Sequence, residues 1–165
     1  MITLEQLLKS RDARARHQQD LLEQHPGGSV VCLTVQLPGP QKRSSTSLKI
    51  GRAGVKALSE AFPETEAEVH DLETGFEAYL CLPLPALELK RICCGIEDKH
   101  PLGRLMDIDV IAGGEGPLSR ESIGLSPRRC LLCDNPARVC MRAHTHTHEE
   151  LLHRIEQLTR AYKEE

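Results

Sequence analysis

Tryptophan is absent from the 165 residues, and tyrosine and phenylalanine occur twice each. Aromatic platforms for stacking single-stranded nucleic acid are therefore scarce. An excess of basic charge is also missing. The formal net charge is −3, which argues against general nucleic-acid binding, since that rests on surplus Lys and Arg. No run of roughly 18 apolar residues exists to span a bilayer. The first residues, MITLEQLLKSRDARARHQQD, lack the apolar stretch of a signal peptide. These absences predict a cytoplasmic protein with neither nucleic acid nor membrane among its partners. In that compartment seven cysteines, an odd number, read as thiols or metal ligands rather than disulfides.

What is present fits one ordinary domain over residues 1–165. Hydrophobic residues make up 39% and charged residues 27% of the chain, the balance of a globular protein with a core. Periodicity predicts a helix over 3–24, opened by Thr3 and Gln6 at capping-box spacing. A buried strand follows over 30–37 (VVCLTVQL). A helix is expected over 47–61, then an acidic loop over 63–74. A strand over 77–82 and a helix over 86–98 come next. His100-Pro101 ends that helix, and 105–111 reads as a strand. Gly113 to Gly116 turns the chain, with 117–122 returning as an antiparallel partner. A loop-rich stretch over 126–147 precedes a last helix over 148–163, opened by Thr147 and Glu150. This order predicts an α+β domain, a small mixed sheet with packed helices.

The segment HPLGRLMDIDVI (100–111) organises the chain. On a strand, Met106, Ile108 and Val110 share one face, while Asp107 and Asp109 share the other. Asp disfavours strands, and two side by side repel each other unless a cation lies between them. Divalent hard cations take carboxylate and phosphate oxygens together, and metals held this way suit displacement at phosphorus. The plain alternative is a solvated strand face. A second stretch, PGPQKRSSTS (38–47), places Lys42 and Arg43 just before a helix start, where free N–H groups and the dipole favour anions. The alternative there is an exposed polar loop. It is not a P-loop, because the glycine spacing is missing.

RDARARHQQDLL (11–22), PGPQK (38–42), TGFEAYL (74–80), HPLGRLMDIDV (100–110), SR (119–120) and PRRCLLCDNPARVC (127–140) resemble, in that order, the citrate lyase holo-acyl-carrier-protein synthases. These are the apo-citrate lyase phosphoribosyl-dephospho-CoA transferases. Paired aspartates alone do not separate them from the malonate decarboxylase holo-protein synthases. The resemblance implies a nucleotidyltransferase-like domain. It also implies transfer of the prosthetic group from 2′-(5″-triphosphoribosyl)-3′-dephospho-CoA to a serine of the acyl carrier (gamma) subunit of citrate lyase, with pyrophosphate leaving. Asp107 and Asp109 would be catalytic and would hold Mg²⁺. Glu77 is the candidate third ligand, on a strand expected beside theirs, with a surface acid as the alternative. Lys42, Arg104, Arg128, Arg129, His100 and Gly103 form the expected substrate-binding set. Arg11 gains a little as a phosphate ligand over Arg14 and Arg16.

Cys130, Cys133, Cys140 and His146 carry the spacing C-x2-C-x6-C-x5-H. Three thiolates and one imidazole complete a structural zinc tetrahedron. His144 and His148 lie close enough in sequence to substitute, and the resemblance favours His146. The alternative is that these cysteines pack under the last helix. Two other functions compete with the transferase. One is a zinc-stabilised interaction module without catalysis, which leaves the G-R-x-x-D-x-D context unexplained. The other is a metal-dependent nucleotide hydrolase, with water in place of serine.

Overall fold

The computed structural model describes residues 1–114 and 116–164, and in it three helices start on reciprocal caps. Thr3 and Gln6 open α1 (Leu4–Gln24), Ser44 and Ser47 open α2 (Ser45–Ala61), and Thr147 and Glu150 open α5 (His148–Ala161). Each box satisfies two N–H groups that a helix start leaves without partners. Between them lies α3 (Ala86–Lys99), which stops at His100 ahead of Pro101. A short helix, α4 (Ala137–Ala143), occupies part of the segment expected to be loop.

Four strands, β1 (Ser29–Val35), β2 (Glu68–Leu72), β3 (Gly75–Leu82) and β4 (Met106–Ile111), form one sheet in the order β2-β3-β1-β4. The domain is α+β, but every pairing is antiparallel, where a mixed sheet was expected. The reason lies in the crossover through α3. It carries β4 past β1 instead of laying it against β3. β3 and β4 therefore run the same way with β1 between them. The expectation that the Glu77 strand lies beside the aspartate strand is corrected by the same fact.

Two further expectations change. Residues 68–72 are a strand, not a loop, paired to β3 through a tight turn. Residues 117–122 form no strand. After the single bridge Ile111↔Pro117, the chain enters a 3-10 turn at Arg120–Ile123, because proline has no N–H to continue a ladder. The turn expected over 113–116 includes Glu115, which lies outside the described residues.

Alternation along the strands gives the sheet two unlike faces. Val31, Leu33, Ala78, Leu80, Met106, Ile108 and Val110 look towards α2, α3 and α5 and are buried there. Burying each large side chain contributes about 1.5–3 kcal/mol. α2 lies close because Gly51 and Gly54 face Phe76 and Leu33; a Cβ at Gly51 would sit 2.5 Å from the Phe76 ring. The opposite face has a smaller apolar patch, Val30, Cys32, Tyr79 and Ile111, held against Leu21 of α1. The rest of that face is polar and carries the candidate site.

Candidate active site

Strand register defines the polar face. Thr34 pairs with Glu77 on one side and Asp107 on the other, and Cys32 pairs with Tyr79 and Asp109. β2 extends both rows, His70 lying opposite Glu77 and Glu68 opposite Tyr79. The aspartates are thus successive outward residues of β4, as the alternation predicted. Glu77 stands two strand spacings from Asp107, roughly 10 Å between Cα atoms.

Both aspartate carboxyls are driven above their ordinary range. Burial is the main cause for each; Glu97 adds to it at Asp107, and Asp107 adds to it at Asp109, which is pushed up to about 6. Two desolvated acids that oppose each other's ionisation are a pair for which a bound cation removes a real penalty. Gln36 donates to Asp107 Oδ2 at 3.2 Å, which fixes that carboxylate. Glu77 is buried and differently engaged. The Tyr79 hydroxyl donates to it at 2.5 Å, and Arg14 lies 3.6 Å away. Arg14 projects from α1 over this face, and its charge lowers both aspartates as well as Cys32. Of the three arginines in the α1 motif, Arg14 is the one the fold places among the carboxylates. Arg11 instead lies near Lys42.

The basic residues fall into two groups. Lys42 lies in the loop leaving the end of β1 near Thr34, and its Nζ donates to the Leu37 carbonyl at 2.6 Å. Burial, and then Arg11, push its pKa down. Arg43 is bound to Asp71 and Glu73 of the β2–β3 hairpin. The second group flanks the outer edge of β4. Arg128 donates to the carbonyls of Met106 and Gly103 at 2.5 and 2.7 Å and approaches Glu97 at 3.5 Å. Arg104 donates to the Arg129 carbonyl, and Arg129 to that of Asp134 at 2.7 Å.

Two motif residues serve the backbone. A Cβ at Gly103 would lie 2.2 Å from the Glu97 carbonyl oxygen, so glycine permits the turn to press on the end of α3. His100 accepts from the Leu102 N–H at 3.0 Å and leans on Tyr162, away from the aspartate face. Burial lowers its pKa.

Glu97 is a residue the sequence reading missed. It is only 2% exposed, accepts from the Ile108 N–H at 2.8 Å and pairs with Arg120 at 2.7 Å. Its signal was available, since it falls four residues after Cys93 on the buried stripe of α3. Lys90, one turn before Cys94 on that helix, is likewise buried and lowers both aspartates.

The cysteine segment folds back on itself. The Cys130 N–H donates to Asn135 O at 2.7 Å, the Ala137 N–H to Arg128 O at 2.9 Å, and α4 follows. His144 then adopts a left-handed conformation, φ 48°, which reverses the chain and brings in His146. Donor atoms of Cys130, Cys133, Cys140 and His146 all lie within 4.8 Å of one another. Cys133 Sγ is 3.4 Å from both Cys140 Sγ and His146 Nε2. Tetrahedral zinc, with Zn–S near 2.3 Å, spaces its sulfurs by about 3.8 Å. Burial acts to raise the Cys130 thiol, but N–H groups of Leu132 and Cys133 at its sulfur outweigh this and bring it down to about 7. The cluster is compatible with structural zinc. His148, one of the alternatives, lies beside Gly39 instead.

A half-buried carboxylate pair on an α+β sheet, flanked by arginines and a lysine, has the composition of a group-transfer site. The comparisons agree on that class. A family model described as apo-citrate lyase phosphoribosyl-dephospho-CoA transferase matches residues 2–162. An Escherichia coli O1:K1 protein of that description is 39% identical, covering 95% of this chain and 88% of its own. Relatives from Vibrio cholerae serotype O1 (36% identical, 98% and 93% covered) and Streptococcus pyogenes serotype M18 (35%, 98% and 87%) carry the same words with the qualifier "probable". The chain belongs to the apo-citrate lyase phosphoribosyl-dephospho-CoA transferase family.

Proposed function

We propose that this protein attaches the phosphoribosyl-dephospho-CoA group of 2′-(5″-triphosphoribosyl)-3′-dephospho-CoA to a serine on the acyl carrier subunit of citrate lyase. The serine oxygen forms a bond to the phosphorus nearest the ribose, the bond from that phosphorus to the bridging oxygen breaks, and pyrophosphate leaves. The reaction is a nucleotidyl-type transfer. The observation that carries it is the desolvated pair Asp107 and Asp109 at the centre of a family motif.

Asp107 and Asp109 fit Mg²⁺, because a cation there relieves both their burial and their mutual repulsion. Held there, Mg²⁺ would supply charge neutralisation for the triphosphate. The protein contributes the rest by positioning and charge. Gln36 holds Asp107 in place. Lys42 meets the phosphates from the β1 end of the site, and Arg104 and Arg129 from the β4 edge. Arg128 acts through the backbone, tying the cysteine segment to the carbonyl beside Asp107. A carboxylate oxygen of the pair accepts the serine proton. Glu77, held by Arg14 and Tyr79, steadies the arginine over the site. Cys130, Cys133, Cys140 and His146 would hold a structural zinc, which would keep Arg128 and Arg129 against β4. The carrier docks on the local +3 of residues 127–142, which hold four Arg against one Asp. No helix among the described residues is long and apolar enough to cross a membrane.

Mass spectrometry tests the reading. Apo carrier subunit incubated with the protein, donor and Mg²⁺ gains the mass of the prosthetic group, and pyrophosphate appears only when the carrier is present. Pyrophosphate released without carrier identifies a hydrolase; none under either condition identifies a binding module.

A further inference from the structure

A second cluster of metal-ligating side chains lies well away from the aspartates, and we propose that His17, Glu68 and His70 form a divalent cation site of the zinc class. It does not rest on the proposed reaction. Tyr79 and Cys32 separate Glu68 from Asp109 along one row of the sheet, which is three strand spacings, or roughly 14 Å.

The placement follows from local structure. Glu68 and His70 are two apart on β2, so they share a face, and α1 crosses that face to bring His17. Both imidazoles turn Nε2 towards one carboxylate oxygen, Glu68 Oε1, at 3.0 Å from His17 and 2.7 Å from His70. The three donor atoms lie within 4.8 Å of one another. His17 Nε2 is buried and makes no aligned hydrogen bond. Tetrahedral zinc with bonds near 2.0–2.1 Å spaces its nitrogen and oxygen donors by about 3.4 Å, so a few tenths of an ångström of opening admits the ion.

The surroundings hold these ligands in one orientation. The Tyr79 ring meets both imidazoles near edge-on, with centroids 4.6 and 5.6 Å away, and so limits their rotation. Two imidazoles and one carboxylate suit Zn²⁺ or Co²⁺ rather than Mg²⁺, which prefers oxygen donors throughout. Three protein ligands leave a fourth position open. His17 and His70 both line a cavity of about 520 Å³ that also has Lys9, Arg14 and Thr74 in its wall. Water or an anionic oxygen entering that cavity completes the sphere. The ion would also clip α1 to the edge strand β2.

The test is Zn²⁺ titration of the full chain by calorimetry, beside His17→Ala, His70→Ala and Glu68→Gln. The parent is expected to bind one more equivalent at micromolar concentration than either histidine variant, with Glu68→Gln weakening that equivalent tenfold or more. The cysteine cluster is common to all four proteins and cancels. Equal stoichiometry in parent and folded histidine variants overturns the site. Imidazole ¹⁵N spectra of the parent give a variant-free readout. Shifts of the His17 and His70 Nε2 resonances on adding Zn²⁺ support the site, and unchanged resonances overturn it.

Discussion

Asp109 is held under tension by its burial and by the neighbouring Asp107. Its carboxyl is raised to about 6 by burial and by Asp107. The folded chain therefore binds a proton more tightly there than the unfolded chain does. Stability is lost as pH rises from the unfolded value near 4 towards 6 and stays lost above it. Asp109→Asn should raise the melting temperature at pH 7.5 in the absence of divalent cations, and change it little at pH 4. Millimolar Mg²⁺ should stabilise the parent more at pH 7.5 than at pH 5, and the variant at neither; thermal scans at the two pH values decide this. The same substitution, like Asp107→Asn, should reduce prosthetic-group transfer by roughly 10³-fold or more; activity within tenfold of the parent would exclude both residues from the site. Glu97 serves the fold instead. It is the buried partner of Arg120 and the acceptor for Ile108, so Glu97→Ala should destabilise by about 3–5 kcal/mol, read by denaturant unfolding.

Elements were legible where one pattern ruled them. The capped helices α1 and α5, the apolar run of β1 and the alternation of β4 follow from local spacing alone. β2 did not, since Glu68-Val69-His70-Asp71-Leu72 has one strongly β-favouring residue, and it is a strand because β3 offers a free edge across a tight turn. The neighbours of β4 were equally hidden, because strand order depends on where the α3 crossover lands. Within the candidate site, the shared face of Asp107 and Asp109 and the closeness of the cysteines could be read from spacing, their roles only from the family resemblance, whereas Arg14 over Glu77 needed α1 to be laid across the sheet. The motif glycine shows a connection between elements that spacing does not reveal. Gly103 touches the carbonyl of Glu97 on α3, so Gly103→Ala must push apart the two elements that carry Glu97 and Asp107. A cost of about 1–3 kcal/mol is expected, seen as a fall of several degrees in melting temperature. An unchanged melting temperature would show that this contact relaxes freely.

For the whole molecule, the cysteine segment leaves Val139 and Met141 exposed and is tied to β4 by Arg128. Metal in the Cys130, Cys133, Cys140, His146 cluster would make binding energy there folding energy. Protein purified without chelator should carry close to one equivalent of zinc on thiolates, and EDTA should lower both stability and transfer. Less than about a tenth of an equivalent, with stability unmoved by EDTA, would rule that metal out. The outer edge of β4 also has a wider meaning. Its Met106 carbonyl is taken by Arg128, its Ile108 N–H by Glu97 and its Val110 carbonyl by the Leu118 N–H. An exposed strand edge invites another chain to add itself as a strand, and the usual outcome is aggregation. Here the edge next to the aspartates is already bonded at these three groups, which opposes the addition of a further strand. Under the proposed transfer, the acceptor would reach the aspartates over the polar face, between α1 and the arginine border.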